Sequence, residues 1–72
     1  KNMDIFIKEY NAKVKTLEFV KKAYGKCSFG SVDSSYQYLL GYANALYDCG
    51  LITANDLQRA FDTTEKLFEE FK

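Results

Sequence analysis

Seventy-two residues with no histidine, no proline and ten acidic side chains balancing ten basic ones make one small domain and exclude both serine–histidine–aspartate catalysis and the commonest zinc ligand. A chain this short buries only roughly 60% of the surface it exposes when unfolded, so its six Phe and six Tyr are expected to stabilise it by dense aromatic packing or self-association. Net neutrality argues against a dedicated nucleic-acid binder, whose footprint is strongly basic, yet the charges are sorted: residues 1–26 carry seven lysines against Asp4, Glu9 and Glu18, net +4, and residues 27–72 are net −4.

The first segment predicts a helix over about 3–24. Met3, Phe6, Ile7, Tyr10, Val14, Leu17, Val20 and Tyr24 recur at three- and four-residue steps and fall within about 140° of a helical wheel, a core-facing stripe. Gly25 supplies a left-handed C-terminal cap, and Lys21, Lys22 and Lys26 suit the negative end of the helix dipole. On the opposite side Ile5, Ala12 and Phe19 align at seven-residue spacing, with Lys8, Lys15, Lys22 and Lys26 alongside. Three helices provide nothing to cover that side, so it is expected to be an apolar and basic docking strip.

"GKCSFGS", Gly25 to Ser31, resembles a phosphate loop only in its two glycines. It lacks the Lys-Ser/Thr after the second glycine and any preceding strand, so it is expected to join helices, with Phe29 and Val32 tucked under the bundle. A second helix is predicted over about 33–49, capped by Ser31, Asp33 or Ser34. Tyr36, Leu39, Leu40, Ala43, Leu46 and Tyr47 form its main stripe. Tyr38, Tyr42, Ala45 and Cys49 carry apolar surface round a second side, as in the most buried helix of a bundle. Tyr38 and Tyr42 pack on a neighbouring helix or form a second interaction surface, since Tyr is enriched in binding hot spots.

A third helix is predicted over about 54–71. Gly50 stops the second helix, and Thr53-Ala-Asn-Asp56 is a capping box with Asp in place of the usual Glu or Gln. Leu51 and Ile52 are expected to staple this corner against Leu57. Leu57, Ala60, Phe61, Thr64, Leu67, Phe68 and Phe71 line one face. "GLITANDL", Gly50 to Leu57, resembles joints in small helical proteins of Gram-positive phages, and its eight residues name no family.

The expected fold is therefore all-α, an antiparallel up-down-up three-helix bundle forming a single domain over residues 1–72. In such a bundle the first and third helices run parallel, which would bring Glu65, Glu69 and Glu70 beside Lys21, Lys22 and Lys26 and offset their unfavourable position at a helix C-terminus.

Candidate chemistry is sparse. Cys27 beside Lys26 could carry a reactive thiol, but the chain offers no histidine as its base. The spacing separates Cys27 from Cys49 by roughly 24 Å of helix, beyond disulfide reach. Asp62, Glu65 and Glu69 share an exposed face of the third helix, without a pocket to separate their pKa values. No cofactor and no metal site are expected. The joint at residues 48–58 has the turn length of a helix-turn-helix, and Asn55 and Gln58 can read adenine edges, but Asp56 and Asp62 repel phosphate. No apolar run reaches the roughly 18 residues of a membrane span, and no signal-peptide pattern is seen, so a cytoplasmic location and no membrane partner are expected. The sequence thus predicts a non-enzymatic interaction module, an accessory or inhibitor protein that binds another protein or itself as a homodimer. Its alternative is a small DNA-binding regulator using the 48–58 joint or the lysines of the first helix.

Overall fold

The computed structural model describes residues 3–71. It shows three helices, α1 (Met3–Tyr24), α2 (Phe29–Asp48) and α3 (Ala54–Phe71), packed as an all-α bundle, as expected. The stacking of Phe29, the first residue of α2, on Phe68 near the end of α3 shows that these two helices run antiparallel along their whole length. Their seam is the most extensive in the molecule, and α1 packs more sparsely across both.

The core follows from the apolar stripes. Phe6 and Leu17 of α1, Val32, Leu39, Ala43 and Leu46 of α2, Ile52 of the joint, and Ala60, Leu67 and Phe71 of α3 are buried together. Each fully buried Leu or Phe contributes about 1.5–3 kcal/mol of transfer free energy. Thr64 sits fully buried among them, and its hydroxyl donates to the Ala60 carbonyl at 2.7 Å, which satisfies its hydrogen bonding inside its own helix. The predicted α3 stripe is buried or half-buried throughout.

α2 begins four residues earlier than the sequence predicts. Its cap is Ser28, not Ser31, Asp33 or Ser34: the Ser28 hydroxyl accepts from the Ser31 N–H at 3.1 Å. Gly30 then lies inside the first turn, where a glycine is tolerated because the free N–H groups are capped from outside. This places Val32 in the core but turns Phe29 outward, 73% exposed, so Phe29 does not tuck under the bundle.

The α2–α3 corner is set by local chemistry. Gly50 adopts φ +75°, its N–H donates to the Tyr47 carbonyl and the Leu51 N–H to that of Leu46, both at 2.9 Å, the two bonds of a Schellman motif. Thr53 then accepts from the Asp56 N–H at 3.1 Å while the Asp56 carboxylate accepts from the Thr53 N–H at 3.3 Å, a reciprocal capping box. Ile52 is buried and Leu57 packs on the same core, whereas Leu51 is 41% exposed. The staple is thus made by Ile52 alone.

The axial register of α1 departs from expectation. Cys27 donates its thiol hydrogen to the Leu17 carbonyl at 3.2 Å, so the chain doubles back beside Leu17 rather than beside the end of α1. Cys27 and Phe71 line one cleft, and the Glu70 carboxylate reaches the surroundings of the Tyr10 hydroxyl, whose pKa is raised by burial and by that charge. α3 therefore ends level with the middle of α1, and the last two turns of α1 overhang. The 39 Å long axis accordingly exceeds the roughly 33 Å that α1 spans by itself. Two predicted core residues of α1 are exposed in consequence or at the stripe's edge, Tyr24 at 77% and Ile7 at 39%. Tyr47 of the α2 stripe is likewise 43% exposed. The expected pairing of Glu65, Glu69 and Glu70 with Lys21, Lys22 and Lys26 does not form. Among the described residues the ion pair is Arg59–Asp56, at 2.7 Å.

The glycines give a paired test of the corner. A Cβ at Gly50 or at Gly41 would meet no other atom within 4 Å, so each alanine substitution acts through backbone conformation alone. Gly50→Ala forces an L-residue into the left-handed region and should cost about 1–2 kcal/mol. Gly41→Ala, inside helix α2, should stabilise by about 1 kcal/mol. Urea unfolding of both variants measures the two signs, and equal signs would contradict this account of the corner.

Candidate interaction surface

The outer face of α1 is built by spacing alone. Ile5, Ala12 and Phe19 lie two helical turns apart, so their side chains stack along one side, about 100–160° round the helix from Phe6 and Leu17. All three are exposed, Ile5 at 43% and Phe19 at 69%. Between Ile5 and Phe19 the strip runs about 21 Å. Lys8, Lys15 and Lys22 stand exposed beside it on α1, and Lys26 is exposed just past the helix end. None of these lysines makes an ion pair among the described residues, so their charge is directed at solvent. The Thr16 hydroxyl beside Ala12 donates to the Ala12 carbonyl at 3.1 Å and adds no free donor. The surface offers aliphatic and aromatic contact flanked by positive charge, with Asp4 and Glu18 at its margin.

The tyrosine side of α2 borders α1, with Tyr42 half-buried and Tyr38, Ala45 and Cys49 exposed. The Lys13 ammonium sits 4.1 Å from the centre of the Tyr38 ring, a cation–π contact of about 0.5–1 kcal/mol at an exposed site. Tyr38 stacks on Tyr42 with centroids 6.1 Å apart, and Tyr42 packs half-buried against the core. The neighbouring Glu9 carboxylate, which favours a protonated hydroxyl, together with desolvation holds the Tyr38 phenol above its ordinary pKa. Tyr38 thus clamps α2 to Lys13 of α1, close to the Glu9 carboxylate, while remaining 45% exposed, and Tyr42 is half-buried beside it.

The start of α3 is occupied as well. The Thr53 N–H, and then the Arg59 guanidinium, hold the Asp56 carboxyl below the usual carboxylate range. Gln58 donates its amide to Asp62 at 3.1 Å, and Arg59 is bound to Asp56. Two of the polar side chains that would approach a duplex are thereby tied to carboxylates. A helix-turn-helix crosses its helices at about 90–120°, a geometry that would separate Phe29 from Phe68, whereas here their rings are 5.7 Å apart.

Asp62, Glu65 and Glu69 are exposed, and among the described residues no group of three or more His, Cys, Asp and Glu is placed to hold a metal ion. Cys27 is half-buried, not exposed at a helix end, and its thiol is committed to the Leu17 carbonyl. Cys49 is exposed, and both are free thiols. What the sequence does not single out is the end of the bundle, where Tyr24 and Phe29 are among the most exposed aromatic residues. The overhang that uncovers Tyr24 has no counterpart in helical periodicity.

The fold and this surface define a small three-helix bundle with an uncovered apolar and basic helix face. The chain matches no family model, no curated protein and no solved structure.

The Tyr38 clamp can be read by titration. Because the folded-state pKa of Tyr38 is raised, its contribution to stability is present below the unfolded tyrosine pKa near 10 and is lost as pH rises through the folded value. Glu9→Gln should move the Tyr38 titration, followed by NMR of its ring, to lower pH and weaken this alkaline loss. An unchanged Tyr38 titration would remove Glu9 from the clamp.

Proposed function

We propose that this chain is a non-enzymatic protein-interaction module of the cytoplasm, which grips an acidic partner through the outer face of α1 and occludes part of it. The observation that carries this reading is the 69% exposure of Phe19 in line with Ile5 and Ala12 and beside Lys8, Lys15, Lys22 and Lys26. Burying one large apolar side chain against a partner contributes about 1.5–3 kcal/mol. A row of solvent-directed lysines raises the encounter rate with an acidic surface and rejects basic ones. The absence of histidine supports a role without catalysis, and the open groove at the start of α3 is lined by Asp56 and Arg59, which are already paired with each other. Two free thiols suit a reducing compartment, and among the described residues no helix is long and apolar enough to cross a membrane.

The exposed lysine row favours one second reading, contact with nucleic-acid backbone by a small regulator. That reading has less support: residues 1–26 contain no arginine for base recognition, and no second aromatic joins Phe19 to form a stacking platform.

Phe19→Asp should leave the helical circular-dichroism signal intact and reduce partner affinity at least about 30-fold, the effect of losing one hot-spot residue. The partner is identified by comparing mass spectra of captures made with wild type and with Phe19→Asp. The expected result is an acidic protein lost with the variant and with added salt. Unfolding of Phe19→Asp would place the residue in the core and overturn the surface. Binding to random duplex that weakens steeply with salt would move the reading to nucleic acid.

A further inference from the structure

The end of the bundle where α1 overhangs α3 carries aromatic residues, a cleft and an acidic pair that lie outside the outer strip of α1, and shares Lys22 and Lys26 with that strip. Tyr24 lies on the core-facing side of α1, seven residues past buried Leu17, yet is 77% exposed because α3 stops short of it. Phe29 is 73% exposed even while it stacks on Phe68. Beside it an apolar cleft of about 260 Å³ is lined by Cys27, Phe29, Val32, Phe68 and Phe71. Small-molecule sites usually measure about 300–1,000 Å³, so this cleft suits a single inserted side chain.

The charges at this end come in two opposed groups. Lys21 and Lys22 occupy the last turn of α1, Lys21 on the side of Tyr24, Lys26 follows the helix end, and Glu69 and Glu70 stand between the cleft residues Phe68 and Phe71 in the chain. All five are exposed, and within the chain the two groups make no ion pair among the described residues.

We propose that a second copy of this chain covers this end, two molecules meeting about a two-fold axis. Tyr24 of each enters the cleft of the other, and the lysines of each face Glu69 and Glu70 of the other. A two-fold interface brings the same patch together twice and must be complementary to itself. A patch of one sign would repel its own copy. This one separates a basic cluster on α1 from an acidic pair on α3 and places an exposed ring near an apolar cleft. A strongly acidic partner, suited to the outer strip, would be repelled by Glu69 and Glu70. Tyr24 and Phe29, each about three-quarters exposed, supply roughly 300 Å² toward the about 800 Å² per partner of a standard interface. They form an apolar centre, with the charges as its rim, and the association is reversible and salt-sensitive.

Sedimentation velocity of the full chain over a concentration series tests this. Wild type should show a monomer–dimer equilibrium. Tyr24→Asp and Phe29→Asp, both at exposed positions, should each weaken it about 30-fold while the circular-dichroism signal is kept. Lys21/Lys22/Lys26→Glu and Glu69/Glu70→Lys variants should each be monomeric alone and form a heterodimer when mixed. Wild type that stays monomeric to about 1 mM, or a dimer indifferent to Tyr24→Asp, overturns the proposal. A monomer that still binds its partner through Phe19 would leave the outer-strip reading intact. A dimer lost in Phe19→Asp but kept in Tyr24→Asp would reassign the outer strip to self-association and overturn both.

Discussion

The burial of Leu17 against the end of α3 and the returning chain decides what the rest of this molecule can do. Leu17 is the last fully buried residue of α1, where Cys27 bonds back to its carbonyl and shares a cleft with Phe71 of α3. Val20 is half-buried, and the flanking residues from Glu18 to Lys26 are exposed. In a chain this small, where apolar burial is scarce, leaving Phe19, Tyr24 and Phe29 uncovered gives up stabilisation that a contact with another molecule would recover.

The remaining architecture keeps α3 at that level. The Schellman turn at Gly50 and the reciprocal Thr53–Asp56 cap hold the α2–α3 corner to five residues, and the seam of Leu39, Ala43, Leu46, Ala60, Thr64 and Leu67 carries the pairing along the helices. A hairpin this closely joined cannot open into a perpendicular helix-turn-helix without uncovering the seam. α1 is then held across the pair by Phe6 and Leu17 in the core and by Lys13 against the Tyr38 ring at the edge. Its outer face is uncovered among the described residues, and the lysines there form no ion pair, with Asp4 and Glu18 at the margin.

Much of this was legible in the residues and some could not have been. The α3 stripe and its caps are readable because period, cap and staple agree locally. The outer strip of α1 is readable because seven-residue spacing places Ile5, Ala12 and Phe19 on one side whatever the helix packs against. The start of α2 is misread because Phe29-Gly30-Ser31 looks like loop chemistry, and only the Ser28 cap makes it the first turn. The exposure of Tyr24 and the missing lysine–glutamate pairs lie beyond a helical wheel altogether. A wheel assigns each residue a face, but how far along α1 its neighbours reach depends on where the loops let α2 begin and α3 end.

Amide hydrogen exchange along α1, in dilute solution where the chain is monomeric, tests this register most directly. Protection should be high from Phe6 to Leu17 and fall by orders of magnitude from Phe19 to Tyr24, because only the first stretch opens with the core. Uniform protection through Tyr24 would mean that α1 is covered to its end, and the overhang that exposes Tyr24 would not exist.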